Sequence, residues 1–293
     1  MKPAAFEYAA PAALAEALAL KAEHGDEAKF LAGGQSLVPA MNFRLAQAAL
    51  LVDLNGLAEL DFIRLDEGGE LRLGAMTRQR RLERDALVAG RAPLLHEAMP
   101  WVAHPQIRNR GTLGGSLAHA DPAAELPVVA LALQARLRAQ SASGERWIEA
   151  ADFFQGLFTT ALAPDELLVE IALPPLPART GTAFIEFARR RGDYALMGVA
   201  AVIGLDEAGL VRQARLVYLN AGEAPVLAPG AAAILAGQRP SADNIAEAAR
   251  LAAETEIGPE GNVHATAAYQ RHLAAVLTRR AVTAAVERAS GLA

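Results

Sequence analysis

The stretch that decides the fold runs from Ile107 to Pro127 and reads IRNRGTLGGSLAHADPAAELP. It places a Gly-Gly pair between two hydroxyl side chains, ahead of a histidine, an aspartate and an apolar run. An earlier stretch, LAGGQSLVPA from Leu31 to Ala40, repeats the order of small residue, Gly-Gly, hydroxyl and apolar segment. Paired glycines permit positive φ and close approach of backbone N–H groups, and a helix beginning there favours negative charge. Two such turns suggest one shared phosphate-bearing ligand.

The residues of these turns alone leave a second interpretation open. Neither turn has the Lys-Ser/Thr ending of a P-loop or the three-glycine spacing of a dinucleotide-binding turn. Gly-Gly is also a general signal for loops that need positive φ. The pattern therefore indicates a phosphate cradle or two ordinary turns.

Composition excludes several classes of protein. The chain has 293 residues, 53% of them hydrophobic, which is enough for two compact domains or for one large domain with an appendage. A formal net charge of -5 argues against a nucleic-acid binder. No stretch approaches the roughly 18 to 20 uninterrupted apolar residues of a membrane span, and the N-terminal MKPAAFEYAAP lacks the apolar region of a secretory signal. We expect a cytoplasmic protein.

The chain contains no cysteine. This excludes disulfides, cysteine nucleophiles and any all-thiolate zinc or iron–sulfur site held within the chain. His104, His119 and Asp121 are possible metal ligands, but no third nitrogen or carboxylate accompanies them at a fixed spacing. We expect no metal site.

Hydrophobic periodicity predicts a parallel sheet first and a hairpin after it. PAALAEALALKAEHG has the pattern of an amphipathic helix closed by Gly25, and KFLA and LLVDL are typical of short buried strands. Strands separated by a helix and a turn indicate a small parallel sheet. FIRLDEGGELRLGA alternates apolar and polar residues around a glycine turn, which predicts a hairpin.

The second half of the chain predicts a separate α+β unit. DELLVEIALPP is typical of a strand closed by prolines, and Pro174, Pro175 and Pro177 with Thr180 and Gly181 form the best candidate linker. Three strand-like runs, TAFIEFA, MGVAAVIGL and VRQARLVYLN, are then followed by helices.

Together with LVDLN, LRLGAMTR and RRRGDYALMGVAA, the two glycine stretches make the chain resemble the FAD-binding medium subunits of the molybdenum hydroxylases. This is the family of xanthine dehydrogenase and aerobic carbon monoxide dehydrogenase, and the resemblance covers nearly the whole chain. It implies an α+β fold class: a two-subdomain FAD-binding fold of the vanillyl alcohol oxidase (PCMH) type, then a C-terminal α+β domain with a three-stranded antiparallel sheet and helices. The predicted domains are 1–58, 59–177 and 178–293.

The resemblance also implies a set of FAD-binding residues in the two turns and beyond them. These are Ala32, Gly33, Gly34, Gln35, Ser36, Leu37, Gly111, Thr112, Leu113, Gly114, Gly115, Ser116, Asp121 and Tyr194. Tyr194 is expected over the isoalloxazine ring.

Three charged residues near the second turn allow more than one interpretation. Asp121 either accepts hydrogen bonds from FAD hydroxyls or caps the helix that follows Pro122. Arg108 and Arg110 are either charges for the pyrophosphate or contacts to a partner subunit. Their spacing would place them on opposite faces of a strand.

No catalytic acid, base or nucleophile is predicted, because flavin electron transfer needs none. The resemblance implies that the chain takes electrons from [2Fe-2S] clusters of a small partner subunit to FAD and on to an external acceptor. A large molybdopterin subunit completes the complex, expected to be a dimer of heterotrimers. Two alternatives remain: a self-sufficient FAD-dependent reductase of the same fold that uses NAD(P)H, and an assembly subunit that has lost FAD. The sequence names neither substrate nor acceptor.

Overall fold

The chain begins with a small parallel sheet, as its periodicity predicts. The computed structural model describes residues 2–292. Strands β1, β2 and β3 pair in the order β1-β3-β2, and both pairings are parallel. Gly25, at φ 51°, ends helix α1 as expected. The elements are β1 (Glu7–Ala9), α1 (Leu14–His24), β2 (Ala28–Leu31), α2 (Leu37–Asn42) and β3 (Leu50–Asp53).

A five-stranded antiparallel sheet follows, in the order β4-β5-β10-β6-β7. The predicted hairpin forms its first two strands. The strands are β4 (Ile63–Leu65), β5 (Leu71–Gly74), β6 (Arg136–Ser141), β7 (Gly144–Glu149) and β10 (Leu167–Leu173), with a separate two-stranded ribbon of β8 (Phe154–Gly156) and β9 (Thr159–Thr160).

Short helices connect β5 to β6 and cover this sheet. Several short helices form here and not one long helix, because Asp85 caps a new helix and prolines start two others. The helices are α3 (Gln79–Leu82), α4 (Ala86–Arg91), α5 (Pro93–Ala98), α6 (Pro105–Arg108), α7 (Leu113–His119), α8 (Glu125–Ala132) and, after β7, α9 (Ala150–Phe153).

The last sheet has one strand more than the sequence predicts. The order is β11-β12-β13-β14, all antiparallel, and the extra strand has only two residues. Thr180 and Gly181, assigned to the linker, already belong to β11. The elements are β11 (Thr180–Phe187), β12 (Met197–Leu205), β13 (Val211–Leu219), β14 (Val226–Leu227), α10 (Pro229–Leu235), α11 (Ala242–Leu251) and α12 (Ala267–Ala289).

Helices from two parts of the chain cover the two faces of this last sheet. Helix α12 packs on one face, where a β-carbon on Gly181 would lie 1.9 Å from the carbonyl oxygen of Ala285. Helix α8 packs on the other face, in a core that includes Ala200 and Val217. The last sheet therefore shares a core with the helix that follows the second glycine turn.

Candidate functional site

A cavity of about 670 Å³ lies where the two glycine turns meet the loop between β11 and β12. Cofactor pockets commonly have volumes of about 300–1,000 Å³. Thirteen of the fourteen predicted site residues line it: Ala32, Gly33, Gly34, Gln35, Ser36, Leu37, Gly111, Thr112, Gly114, Gly115, Ser116, Asp121 and Tyr194. The exception is Leu113, whose side chain is buried in the core beside the cavity.

The two glycine turns are in direct contact. A β-carbon on Gly33 would lie 2.5 Å from the carbonyl oxygen of Arg110 and 2.8 Å from the Cα of Gly111. A β-carbon on Gly115 would lie 3.4 Å from the Cβ of Ala32. The structure therefore brings together two segments almost eighty residues apart, on one wall of one cavity.

The first turn, at Gly33 to Ser36, has unused hydrogen-bond donors. In residues 2–292, no backbone N–H from Gly33 to Ser36 donates to another protein group. Gly34 has φ 72°, and the side-chain amide of Gln35 donates to the carbonyl of Gly33 at 3.0 Å. Four consecutive free N–H groups in a turn that lines a cavity suit an anionic ligand.

The second turn, at Gly111 to Ser116, uses its donors within the protein. The N–H groups of Leu113 and Gly114 donate to the carbonyls of Thr77 and Ala75 at 2.9 and 2.8 Å. Gly115 N–H donates to Oγ1 of Thr112 at 3.1 Å, which caps helix α7. This turn therefore gives the cavity a wall, with few free amides.

The glycines of the second turn are required mainly by packing. A β-carbon on Gly111 would lie 2.4 Å from Oε1 of Gln79, and one on Gly114 would lie 2.5 Å from the Cβ of Ala75. The sequence interpretation, that absent side chains give a ligand access to backbone amides, fits the first turn. In the second turn the space is filled by the protein itself.

Tyr194 stands at the cavity rim on the loop that joins β11 to β12, with 72% of its side chain exposed. The loop approaches the start of helix α6 closely at Gly192, where a β-carbon would lie 2.4 Å from the imidazole of His104. Gly192 has φ 90°, which also favours glycine. A separate part of the chain thus contributes an aromatic side chain to the cavity.

Comparison with protein families agrees with this geometry. Residues 4–176 match the model described as the FAD binding domain in molybdopterin dehydrogenase. The chain belongs to this family. Residues 182–285 match the CO dehydrogenase flavoprotein C-terminal domain. The chain is thus a flavoprotein oxidoreductase subunit whose cofactor is FAD, and the predicted family and fold class are confirmed.

Individual relatives align with this chain over almost its whole length. The 6-hydroxypseudooxynicotine dehydrogenase complex subunit alpha of Paenarthrobacter nicotinovorans is 44% identical, over 99% of this chain and 97% of the relative. The carbon monoxide dehydrogenase medium chain of Hydrogenophaga pseudoflava is 36% identical, over 97% and 98%. Among solved structures, a carbon monoxide dehydrogenase from the same organism matches with a TM-score of 0.95, 38% identity and coverage of 98% and 99%. Quinoline 2-oxidoreductase from Pseudomonas putida 86 matches at 0.93, 38% identity and 99% of each chain.

A buried polar atom in the cavity wall fits FAD. Gln79 is 5% exposed and lines the cavity, and its Oε1 has no hydrogen-bond partner among the described residues. A buried acceptor without a partner costs about 1–3 kcal/mol, and a hydroxyl of the FAD chain would satisfy it. The sequence interpretation missed Gln79, because a glutamine in a short arginine-rich helix carries no pattern of its own.

Asp121 lines the cavity without capping the helix after it. Its Oδ1 accepts from the N–H of Ala123 at 2.9 Å, within a tight turn. Helix α8 begins only at Glu125, with Ala124 in the N-cap position. The interpretation of Asp121 as the N-cap was wrong, because Pro122 begins the turn and not the helix.

Two buried glutamates lie near the same wall, and sequence reasoning found neither as a site residue. Burial raises the pKa of Glu125 to about 7, assisted by the charge of Asp121, and Glu125 lines the cavity. Glu186 lies on β11, on the same face as Phe184, which packs toward α8. Both its carboxyl oxygens are buried without a partner, and burial, followed by Glu125, raises its pKa to about 9. Glu186 is therefore protonated at neutral pH.

Arg108 and Arg110, just before the second turn, do not lie in the strand that their spacing was taken to indicate. They lie in and after helix α6, not in a strand. Arg108 is buried, bonds both carboxyl oxygens of Glu83 at 3.0 Å, and donates to the carbonyl of Val102 at 2.8 Å. Its guanidinium is thus engaged in a buried ion pair within the protein. Arg110 contributes its backbone carbonyl to the contact between the turns.

Residues 2–292 contain no cluster of three or more His, Cys, Asp or Glu side chains that could hold a metal ion. None of their helices is long and apolar enough to cross a membrane. His119 instead contacts the ring of Phe158, with centroids 5.0 Å apart.

Proposed function

We propose that this chain is the electron-output subunit of a molybdenum hydroxylase. It receives electrons from [2Fe-2S] clusters of a small partner subunit and passes them to an external acceptor. A large molybdopterin subunit completes a cytoplasmic dimer of heterotrimers. The observation that carries the proposal is the FAD cavity, in a chain that has no cysteine and so cannot hold the clusters itself.

In this proposal the two turns bind different parts of FAD. The free N–H groups from Gly33 to Ser36, and the Ser36 hydroxyl, bind the diphosphate. The wall formed by Gly111, Thr112, Gly114, Gly115 and Ser116 fixes its position. Bound FAD supplies the redox chemistry, and the protein supplies orientation and electrostatics.

Residues beyond the turns would orient the rest of the cofactor. Gln79 and Asp121 accept hydrogen bonds from hydroxyls of the FAD chain, and Tyr194 packs on the isoalloxazine ring with its own hydroxyl in solvent. Leu113 acts from the core by holding helix α7 in place.

The names of the relatives support a division of labour between subunits. Chains with 36–44% identity to this one are named for 6-hydroxypseudooxynicotine, caffeine, nicotine and carbon monoxide. Substrates this different share one type of medium chain, and several of the names describe one subunit of a complex. We infer that substrate is selected on another subunit, while this cavity holds FAD. The boundaries at residues 58 and 177 remain predictions.

The test is reconstitution followed by stopped-flow reduction. The purified chain is loaded with FAD, and one flavin per chain is expected by absorbance. Substrate-dependent bleaching of the flavin is then expected only when the iron–sulfur and molybdopterin subunits are present. Rapid reduction of the isolated chain by NADH or NADPH would contradict the proposal and favour a self-sufficient reductase. A chain that takes up no flavin, alone or with its partners, would indicate an assembly role.

A further inference from the structure

A chain of polar side chains crosses from the first sheet to the second, directly behind the two glycine turns. Asn55, just after β3, donates from Nδ2 to the carbonyl of Ala32 at 3.0 Å. Its Oδ1 accepts from Nη2 of Arg78 at 2.5 Å. Arg78 then donates from Nη1 to the carbonyl of Arg110. The guanidinium thus connects a residue that holds the first turn with the backbone of the second.

The carbonyl that Arg78 binds also forms the contact between the turns. It is the same Arg110 oxygen that would lie 2.5 Å from a β-carbon on Gly33. The backbone of Arg78 forms an antiparallel β-bridge with Thr112, so Arg78 lies beside the second turn. Arg78 is therefore connected to both turns, directly to the second and through Asn55 to the first.

The first-sheet end of this chain is itself anchored. Asp53, at the end of β3, accepts from the backbone N–H of Asn55 at 2.9 Å through Oδ1, and Tyr8 of β1 donates its hydroxyl to Oδ2. Asn55 is held in one orientation from two sides. Neither Asn55 nor Arg78 lines the cavity, so each acts through the turns.

We propose that Arg78 and Asn55 form a clasp that sets the spacing between the two glycine turns and thereby determines how tightly the diphosphate of FAD is held. The inference rests on the proposed binding of FAD by these turns. Both residues are positioning residues. Arginine suits this role because its planar fork reaches two acceptors at once, whereas lysine offers one point charge.

The experiment measures the Kd of FAD for the full-length chain by flavin fluorescence, or for the reconstituted complex if the chain needs its partners to bind FAD. Arg78→Gln is expected to weaken binding roughly tenfold, about the value of one hydrogen bond to a charged group. Arg78→Lys is expected to weaken it by a similar factor, because the charge remains and the fork is lost. Arg81→Gln is the matched control: Arg81 lies on helix α3, which begins directly after Arg78 at its N-cap, pairs with Asp61 at 2.7 Å, and neither lines the cavity nor hydrogen-bonds to a glycine turn.

A second variant and a second measurement separate the clasp from a general loss of structure. Asn55→Ala should weaken FAD binding as Arg78→Gln does. The double variant should bind FAD as tightly as the single variant with the lower affinity, because both substitutions break the same connection. Thermal unfolding of the FAD-free variants should match that of Arg81→Gln. If Arg78→Lys binds FAD as the wild type does while Arg78→Gln does not, charge is responsible and the clasp is refuted. Additive losses in the double variant, or Arg78 variants that match Arg81→Gln, refute it as well. Failure of the proposed function would appear differently, as wild-type flavin that the partner subunits do not reduce.

Discussion

The two glycine turns have nearly the same sequence pattern but different structural roles. Within residues 2–292, the turn at Gly33 to Ser36 leaves four consecutive N–H groups free, whereas the turn at Gly111 to Ser116 donates most of its N–H groups to helix α6, to the segment after β5 and to its own cap. Similar residues thus make a set of donors in one case and a close-packed support in the other. A Gly-Gly pair is informative about ligands only when the partners of its amides are known.

Breaking the contact between the turns should have the largest effect. In Gly33→Ala the new methyl group would lie against the Arg110 carbonyl, so the turns must separate. Overpacking typically costs about 1–3 kcal/mol of free energy, which corresponds to a loss of FAD affinity of up to about a hundredfold. The measurement is FAD titration by fluorescence. Gly90→Ala in α4, where a β-carbon meets nothing within 4 Å, is the control. Equal affinities of the two variants would show that the contact does not matter.

The side of the cavity formed by the second turn and α8 should also make FAD binding dependent on pH. Glu125 has a pKa raised by burial to about 7, so it gains charge between pH 6 and 8. A negative charge on the cavity wall repels the diphosphate, and about 1.4 kcal/mol of repulsion would raise the Kd roughly tenfold over this interval. Glu125→Gln should bind FAD with a nearly flat pH profile. Parallel profiles for wild type and variant would exclude Glu125 as the cause.

The same glutamate predicts how stability changes with pH. Its folded pKa lies above the ordinary value of 4.5 for a glutamate, so the folded chain retains a proton that the unfolded chain loses. The stabilising contribution is complete below about 4.5 and is lost as pH rises through about 7. Chemical denaturation of the FAD-free chain should therefore show Glu125→Gln gaining stability relative to wild type from pH 5 to pH 8. A constant difference would contradict the raised pKa.

The hydroxyl groups of Ser36 in the first turn and Thr112 in the second turn should differ in their effects on FAD binding and on stability. Ser36 lines the cavity, and its hydroxyl has no hydrogen-bond partner within residues 2–292, whereas Thr112 caps α7. Ser36→Ala should weaken FAD binding about fivefold, the value of one neutral hydrogen bond of about 1 kcal/mol, and leave the free energy of unfolding unchanged.

Thr112→Ala should have the opposite signature and the smallest effect on FAD. It removes the helix cap and should lower the free energy of unfolding by about 1 kcal/mol, with FAD affinity changed less than in Ser36→Ala. Urea denaturation and fluorescence titration of both variants measure the two effects. A reversal of the pattern would mean that the roles of the turns have been assigned the wrong way round.

The parts of the fold that could be predicted have a long hydrophobic pattern or a clear residue signal at their ends. Gly25 closes α1 where the sequence places it, and the runs from Met197 to Leu205 and from Val211 to Leu219 are strands. The strand at Val226–Leu227 has two residues, too few to show any periodicity. The division of α3 to α6 depends on local caps that a helical period does not reveal.

The site was predictable where backbone geometry requires particular residue types, and less so where tertiary burial decides. Thirteen residues found through the motifs line the cavity, but Leu113 points into the core because α7 begins there. Gln79 and Glu125 were missed because a polar residue at an apolar position becomes informative only once its burial is known. The sequence left Arg108 as a possible ligand contact, because its ion pair with Glu83, 25 residues earlier in the chain, forms only in the folded protein.

Helix α8 joins the cavity to the last sheet. It begins at Glu125 on the cavity wall and packs against β12 and β13, while the N–H of Asn220 donates to the carbonyl of Pro122 at 2.8 Å. We therefore expect cofactor occupancy and the local stability of β12 and β13 to be thermodynamically linked, although no residue of those strands lines the cavity. Amide hydrogens there should exchange more slowly once flavin is bound, which extends the protective effect of the cofactor into a part of the chain that never contacts it.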